Sequence, residues 1–166
     1  MVGVDYSKTS VRLAQELGKN REGCQGIKFE TMDIIRDDPQ KQEWWHEDGF
    51  DLVLDKGTFD AISLSDEVIG TFGGDDPQAG QAPTRVHTLY PSRALSMVKP
   101  GGFLLVTSCN WTQGELIHWF TACTTGSNHG TSVWKRIEYP RFKFGGQEGQ
   151  GVCTVCFRKD SAPEDE

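Results

Sequence analysis

The sequence lacks the features of a membrane or secreted protein. None of its apolar runs approaches the roughly 18 residues that a membrane-spanning helix requires. Its N-terminus has no basic region followed by a long apolar core, which a secretory signal would need. We therefore expect no membrane association and a cytoplasmic protein, with the nucleus as the alternative location.

The sequence also has fewer basic than acidic residues, and its cysteines are not regularly spaced. Seventeen basic residues stand against 24 acidic ones, giving a formal charge of −7, which argues against a nucleic-acid partner. The five cysteines are scattered and odd in number, so reduced thiols are expected. Cys153 and Cys156 form a Cys-x-x-Cys pair, but no second Cys or His pair stands at zinc-finger spacing. No metal site is predicted.

What is present is the composition of an ordinary globular domain, with 36% hydrophobic and 25% charged residues. A chain of 166 residues fits one domain, which we place at residues 1–160. Residues 70–83 are rich in Gly, Asp, Gln and Pro, a composition typical of a loop insertion. Residues 161–166 are expected to form a disordered acidic tail.

Short apolar strands alternate with helical patterns along the chain. Residues 2–5, 26–33, 50–55 and 103–107 have strand patterns, and the last two are apolar runs of the kind buried on both faces of a sheet. Thr112 and Glu115 form a capping box before a helix. Two late strands joined by a short link favour an antiparallel hairpin. The order predicts an α/β fold with a doubly wound, mostly parallel sheet.

Three of these strands end in or near an acid, at Asp5, Asp33 and Asp55. Because the carboxyl ends of parallel strands meet at one edge of a sheet, ligands bind there in open α/β folds. Asp5 suits two adjacent ribose hydroxyls, since a carboxylate can accept hydrogen bonds from both. A helix N-terminal acid explains Asp5 equally well when it is judged alone, and for Asp33 by itself a simple turn residue is the favoured interpretation.

Aromatic residues follow the same strand ends. Phe59 comes after the Asp55 turn, Trp111 after the strand over residues 103–107, and Phe142 and Phe144 lie in the link of the late hairpin. Aromatic and acidic side chains around one site suit an aliphatic amine or its cation. Aromatic residues near strand ends also serve as core residues, and this alternative stays open.

Several motifs together resemble a known family. Gly-Val-Asp-Tyr-Ser at residues 3–7, the acid at Asp33, Phe-Asp-Leu-Val-Leu-Asp at residues 50–55 and Lys-Pro-Gly-Gly at residues 99–102 resemble the class I (seven-β-strand) S-adenosylmethionine-dependent methyltransferases. Residues 55–64, 107–112 and 143–146 are similar to the eukaryotic protein-lysine methyltransferases that modify translation elongation factor 1-alpha. The likeness covers nearly the whole chain except residues 70–83 and the tail.

The resemblance implies a Rossmann-like methyltransferase fold and S-adenosylmethionine as cofactor. Asp5 would hold the ribose hydroxyls, with Tyr6 also at the cofactor. Asp33 and Ile34 would lie by the adenine, and Asp55 would face the methionine end and the incoming lysine.

The resemblance also implies methyl transfer to a lysine ε-amine of elongation factor 1-alpha, by a monomer. The amine must be neutral to attack, although its ordinary pKa is about 10.4. Asp55 is our hypothesis for the group that accepts the departing proton. Contacts with the protein substrate are implied for Lys56, Gly57, Thr58, Phe59, Asn110, Trp111 and Phe144.

One departure from the family pattern leaves other functions open. Family members have a strand and an Asp-x-Gly-x-Gly cofactor loop before the Gly-Val-Asp strand, and we expect this chain to lack both. A truncated, non-catalytic fragment or pseudoenzyme is therefore an alternative. A small-molecule methyltransferase could use the same cofactor residues. A nicotinamide oxidoreductase could use an acid such as Asp5, but it does not account for Asn110 and Trp111.

Overall fold

The computed structural model describes residues 1–69, 84–122, 130–140, 142–149 and 151–161. Strands and helices alternate along these residues, which confirms the α/β class. The chain divides into two compact units, residues 1–47 and 48–166. The loop predicted at residues 70–83, and all of the predicted tail after Ser161, lie outside the described residues. Among the helices that are described, none is both long and apolar enough for a membrane span.

The first unit contains strand β1 (Val2–Asp5), helix α1 (Lys8–Lys19) and strand β2 (Lys28–Thr31). The two strands pair in parallel, with Asp5 opposite Thr31. Ser7 caps the helix, since its Oγ accepts the backbone N–H of Ser10 at 3.3 Å. A short 3-10 turn follows at Pro39–Lys41. The predicted strand, helix, strand order is therefore confirmed, and it places the ends of both strands at the same edge.

The second unit is built on a four-stranded sheet. Its strands are β3 (Phe50–Lys56), β6 (Val98–Ser108), β7 (Thr131–Ile137) and β10 (Cys153–Lys159), in the order β3-β6-β10-β7. The first pair is parallel, and β10 is antiparallel to both of its neighbours. Parallel pairing followed by an antiparallel C-terminal hairpin is the predicted arrangement.

Smaller elements connect the main strands. Strands β4 (Val68–Ile69) and β5 (Thr84–Arg85) form one short antiparallel pair, and β8 (Phe142–Phe144) and β9 (Gln147–Gly149) form another. The helices are α2 (Thr58–Ser63), α3 (Tyr90–Ser96) and α4 (Gln113–Ala122), and a 3-10 turn at Val86–Leu89 precedes α3. Pro91 lies in the first turn of α3, where a missing backbone N–H costs nothing.

The Lys-Pro-Gly-Gly segment at residues 99–102 is part of β6. Phe50 lies opposite Val98 and Leu52 lies opposite Phe103, so residues 99–102 bulge out opposite a single residue of β3. Gly101 has a φ of 77°, a backbone conformation that suits glycine. The strand is therefore longer than its apolar run, because a bulge lets turn-forming residues remain within a ladder.

The core of the second unit lies between the sheet and its helices. Its members are fully buried: Leu104, Val106, Leu116, Phe120, Val155 and Phe157. Phe120 of α4 stacks on Phe157 of β10 with ring centroids 5.1 Å apart. The predicted capping box positions α4, since Thr112 N–H donates to Glu115 Oε2 at 2.8 Å and Glu115 N–H donates to Thr112 Oγ1 at 3.3 Å. This packing fixes the segment that joins β6 to α4.

Candidate functional site

Asp5 ends β1 with an exposed carboxylate. Its Oδ1 accepts the backbone N–H of Ser7 at 2.7 Å, which shapes the turn into α1. Among the described residues, this is the one hydrogen bond to that carboxylate. The second oxygen can therefore accept from a ligand hydroxyl. The adjacent Tyr6 is 79% exposed, so its ring is also available to a ligand.

Asp33 follows β2 and organises its own turn. Its Oδ1 accepts the N–H groups of Ile35 and Arg36 at 2.9 and 3.2 Å, and its Oδ2 accepts the Arg36 guanidinium at 2.7 Å. Partial burial pushes the pKa of Asp33 up, but the hydrogen bonds from Arg36 and Ile35 outweigh it, so the pKa lies below its ordinary value of 3.8. The turn interpretation of Asp33 is thus supported, and the half-buried Ile34 lies within that turn.

Asp55 lies near the end of β3 and holds the start of α2. The side chain is 4% exposed, and its two oxygens accept the N–H groups of Thr58 and Phe59 at 2.9 and 3.3 Å. Gly57 precedes the helix with a φ of 83°, which lets the chain reverse sharply between strand and helix. Lys56 and Gly57 thus form the turn that the Asp55 carboxylate closes.

Burial dominates the electrostatics of Asp55. It raises the pKa of this carboxyl above 3.8, and the hydrogen bonds from Thr58, Tyr90 and Phe59 offset the rise only in part. The hydroxyl of Tyr90 is itself deeply buried, and its pKa lies well above 10.0 because of burial and the neighbouring Asp55 charge. Tyr90 therefore keeps its proton, and Asp55 is the member of the pair that ionises and can then accept one.

Phe59 is the centre of an aromatic cluster. It is 1% exposed and lies between Tyr90 and Trp111, with both ring centroids at 5.3 Å and interplanar angles of 16° and 14°. The edges of Trp119 and Phe120 complete its surroundings at 6.2 and 5.4 Å. These contacts favour the core interpretation of Phe59. A direct contact between Phe59 and substrate stays a prediction.

A second buried carboxylate, on Asp60, organises the turn after β6. Its Oδ1 accepts the Ser108 hydroxyl at 2.5 Å, and its Oδ2 accepts the Cys109 N–H at 2.8 Å. Ser108 Oγ in turn accepts the N–H groups of Asn110 and Trp111 at 3.1 and 2.9 Å. Sequence reasoning did not single out Asp60 or Ser108, although both lie inside the motifs that carry the family resemblance. Nothing in the local pattern shows that they meet.

The turn after β6 lines a cleft of about 270 Å³. Its lining residues come from the end of β6, the start of α4 and the start of β10: Ser108, Cys109, Asn110, Trp111, Thr112, Gln113, Gly151, Val152 and Cys153. The thiol of Cys153 donates to the Trp111 carbonyl at 3.0 Å and so ties the turn to β10. The cleft brings together Asn110 and Trp111 of the predicted substrate residues, but not Lys56, Gly57 or Thr58.

The remaining predicted substrate residue is Phe144. It lies on β8, and its side chain is outside the described part of the structure. Within the ranges that are described, no group of three or more His, Cys, Asp or Glu side chains could hold a metal ion. In the same ranges, the buried Nε1 of Trp111 has no hydrogen-bond partner.

Comparison with known proteins extends over most of the chain. Protein-lysine N-methyltransferase efm4 of Schizosaccharomyces pombe is 36% identical over 160 residues, which are 96% of this chain and 58% of that protein. EEF1A lysine methyltransferase 2 of Danio rerio is 31% identical over 159 residues, which are 96% of this chain and 56% of that protein. The chain thus spans less than two thirds of the length of these curated relatives.

A solved structure and a family model complete the comparison. A SAM-dependent methyltransferase of Methanosarcina mazei has the same fold, with a TM-score of 0.56 over 96% of this chain and 81% of that chain at 13% identity. This likeness confirms the predicted Rossmann-like methyltransferase fold. A model of the methyltransferase domain matches residues 1–146. The chain therefore belongs to the methyltransferase-domain family.

Proposed function

We propose that this chain acts as an S-adenosylmethionine-dependent protein-lysine N-methyltransferase on translation elongation factor 1-alpha. The observation that carries the proposal is 36% identity, over 96% of this chain, to a protein-lysine N-methyltransferase. The name of the Danio rerio relative supports elongation factor 1-alpha as the substrate. A cytoplasmic location and a monomeric state are parts of the same proposal.

For the cofactor we propose contacts by Asp5, Tyr6, Asp33, Ile34 and Asp55. The exposed carboxylate of Asp5 fits a ribose, since one oxygen is held by Ser7 and the other can accept from a hydroxyl. The Asp33 carboxylate is held by Arg36 and its own backbone turn, so beside its proposed cofactor contact it keeps the Ile34 segment in place. When bound, S-adenosylmethionine supplies the methyl group.

For the substrate, Asn110 and Trp111 offer the most direct contacts. Trp111 is partly exposed beside the cleft and is backed by the buried ring of Phe59. A supported indole suits the aliphatic stem and the cationic end of a lysine, through apolar contact and cation–π attraction. Lys56, Gly57, Thr58, Phe59 and Phe144 remain the other proposed contacts with the protein substrate.

The chain must also supply a path for a proton, because only the neutral amine can attack. The raised pKa of Asp55 makes its carboxylate a better proton acceptor than an ordinary aspartate. Both of its oxygens already accept backbone N–H groups, which hold the carboxylate in a fixed orientation. Asp55 is therefore our candidate for holding the departing proton, and positioning of the amine is the larger expected contribution.

The test is methyl transfer by the purified chain. Elongation factor 1-alpha produced in bacteria is incubated with the chain and S-adenosylmethionine, and mass spectrometry of its peptides locates any methylated lysine. Methylation that depends on the chain supports the proposal. Binding of S-adenosylhomocysteine without transfer to this protein would instead favour a small-molecule methyltransferase, and absence of both would favour a non-catalytic fragment or pseudoenzyme.

A further inference from the structure

Asp60 and Ser108 join α2 to the end of β6 through a closed set of hydrogen bonds. The two residues are 8% and 1% exposed. The Ser108 hydroxyl donates to Asp60, and Ser108 Oγ accepts two backbone N–H groups of the following turn. Asp60 accepts a further backbone N–H from Cys109. The proposed cofactor and substrate contacts make no use of this network.

The network uses the full hydrogen-bonding capacity of Ser108. A serine hydroxyl has one proton to donate and two lone pairs to accept. The proton goes to Asp60 Oδ1, and the lone pairs take the N–H groups of Asn110 and Trp111. Each oxygen of Asp60 accepts a hydrogen bond, so this position requires a side chain with two acceptor atoms. Asparagine has only one. Its NH₂ group would face either the Cys109 N–H or the Ser108 oxygen, whose lone pairs already accept two N–H groups.

Helix α2 holds the same turn at a second point. Phe59, the neighbour of Asp60, stacks on the ring of Trp111 at 5.3 Å. The backbone of the turn is thus fixed by Asp60 through Ser108, while its principal side chain is fixed by Phe59. Two adjacent residues of one short helix therefore act on both the path of residues 108–111 and the tilt of the Trp111 ring, beside the bond from Cys153 to the Trp111 carbonyl.

We propose that Asp60 is a positioning residue, which acts through Ser108 to fix the conformation of residues 108–111 and so presents Asn110 and Trp111 to the substrate lysine. The substrate part of this inference rests on the proposed function. The conformational part depends only on the hydrogen bonds of the turn. A substrate with an extended aliphatic amine is the chemistry that the presented indole and amide suit.

The conformational part is tested by amide hydrogen exchange of the 166-residue chain. In Asp60→Asn, exchange of the Cys109, Asn110 and Trp111 amides should be about tenfold faster or more than in the wild type. The Cys109 amide loses its acceptor directly, and the other two lose it because Ser108 is no longer held by Asp60. Thr154→Val is the matched control. Thr154 is also buried, at 1% exposure against 8% for Asp60, and its hydroxyl contacts Thr107 and Tyr139 rather than residues 108–111.

The inference would be overturned if the three amides exchanged at the same rate in Asp60→Asn as in the wild type. It would also be overturned if Thr154→Val accelerated their exchange as much as Asp60→Asn does. Ser108→Ala provides a second route to the same result if Asp60→Asn folds poorly. It removes the acceptor of the Asn110 and Trp111 amides directly, so these two amides should accelerate more than that of Cys109.

The substrate part is tested by kinetics with elongation factor 1-alpha. Asp60→Asn should raise KM for the protein substrate about tenfold, with kcat and the affinity for S-adenosylhomocysteine within about twofold of the wild type. An unchanged KM, or an equal loss of cofactor affinity, would overturn the substrate part. A wild-type chain without activity would overturn the proposed function alone, because the exchange of the three amides is measured without turnover.

Discussion

Phe59 and Trp111 stack with their ring centroids 5.3 Å apart and an angle of 14° between their planes. Phe59 is fully buried, whereas Trp111 is partly exposed beside the cleft. The pair therefore connects the core of the second unit with the surface proposed to meet the substrate. Stability and substrate recognition are coupled at this contact, and the following predictions separate them.

Replacement of Phe59 by alanine should destabilise the fold. The side chain fills the centre of an aromatic cluster, and phenylalanine-to-alanine changes at such sites lower the free energy of unfolding by about 3–5 kcal/mol. Urea denaturation followed by fluorescence measures the change. Leu64→Ala is the control, since Leu64 is 75% exposed just after the same helix and should cost about 0.5 kcal/mol or less. A similarly small cost for Phe59→Ala would contradict its core role.

Replacement of Asp5 by asparagine should weaken cofactor binding without disturbing the turn. The amide oxygen can still accept the Ser7 N–H, but the NH₂ group cannot accept from a ribose hydroxyl. Loss of a charged acceptor predicts about 10- to 100-fold weaker binding of S-adenosylhomocysteine, measured by calorimetry. Glu30→Gln removes the same charge from an exposed position on β2 and should leave the affinity unchanged. Unchanged binding in Asp5→Asn would exclude the ribose contact.

The turn at Asp33 should contribute stability that disappears in acid. Its pKa is lower in the folded chain than the ordinary value of 3.8, so the ionised carboxylate stabilises the folded state above that value. The contribution is lost as the pH falls through the lower, folded pKa. The difference in urea midpoint between wild type and Asp33→Asn should therefore be largest at about pH 7 and shrink as the pH falls below the ordinary value of 3.8. A difference that does not vary with pH would contradict this role.

Replacement of Asp55 by asparagine tests the proposed proton acceptor. Removal of a general base predicts a fall in kcat of about 100-fold or more for methylation of elongation factor 1-alpha, measured under multiple turnover. The folded pKa of Asp55 is raised, so its favourable contribution exists at low pH and is lost as the pH rises through the folded pKa. Removing the ionised form therefore relieves an unfavourable contribution near neutral pH. The NH₂ group of asparagine would face the N–H of Thr58 or Phe59, however, so urea denaturation must show that the variant is folded before its kcat is compared.

Asp51→Asn is the matched control for Asp55→Asn. Asp51 lies on the same strand but is exposed, and it pairs with Lys99. Its replacement should leave kcat unchanged. Full turnover by Asp55→Asn would remove Asp55 from the chemical step.

Replacing Gly57 or Gly114 by alanine tests the effect of backbone conformation on stability. A Cβ atom would meet no neighbour within 4 Å at either position, but only Gly57 has a positive φ. Gly57→Ala should cost about 1–2 kcal/mol of unfolding free energy because of the left-handed conformation. Gly114→Ala in α4 should instead stabilise by about 0.5–1 kcal/mol. Equal effects in urea denaturation would show that the turn at Gly57 tolerates a side chain.

Local patterns were enough to predict most elements of this fold. The apolar run at residues 50–55 lies within β3, and the capping box at Thr112 and Glu115 marks the start of α4. Such signals are local, because hydrophobic periodicity and side-chain caps depend on residues within one or two turns. The bulge at residues 99–102 was not predicted, since glycine and proline favour a turn and only pairing with β3 shows that the strand continues.

The sequence by itself determined the α/β order of elements, the acids at strand ends and the motifs that identify the family. Tertiary structure decided the use of those residues: it buries Phe59 and brings Ser108 onto Asp60. The Asp60 and Ser108 contact joins residues 48 positions apart. No periodicity reports such a pairing, because it depends on the parallel register of β3 with β6, which places the start of α2 against the end of β6.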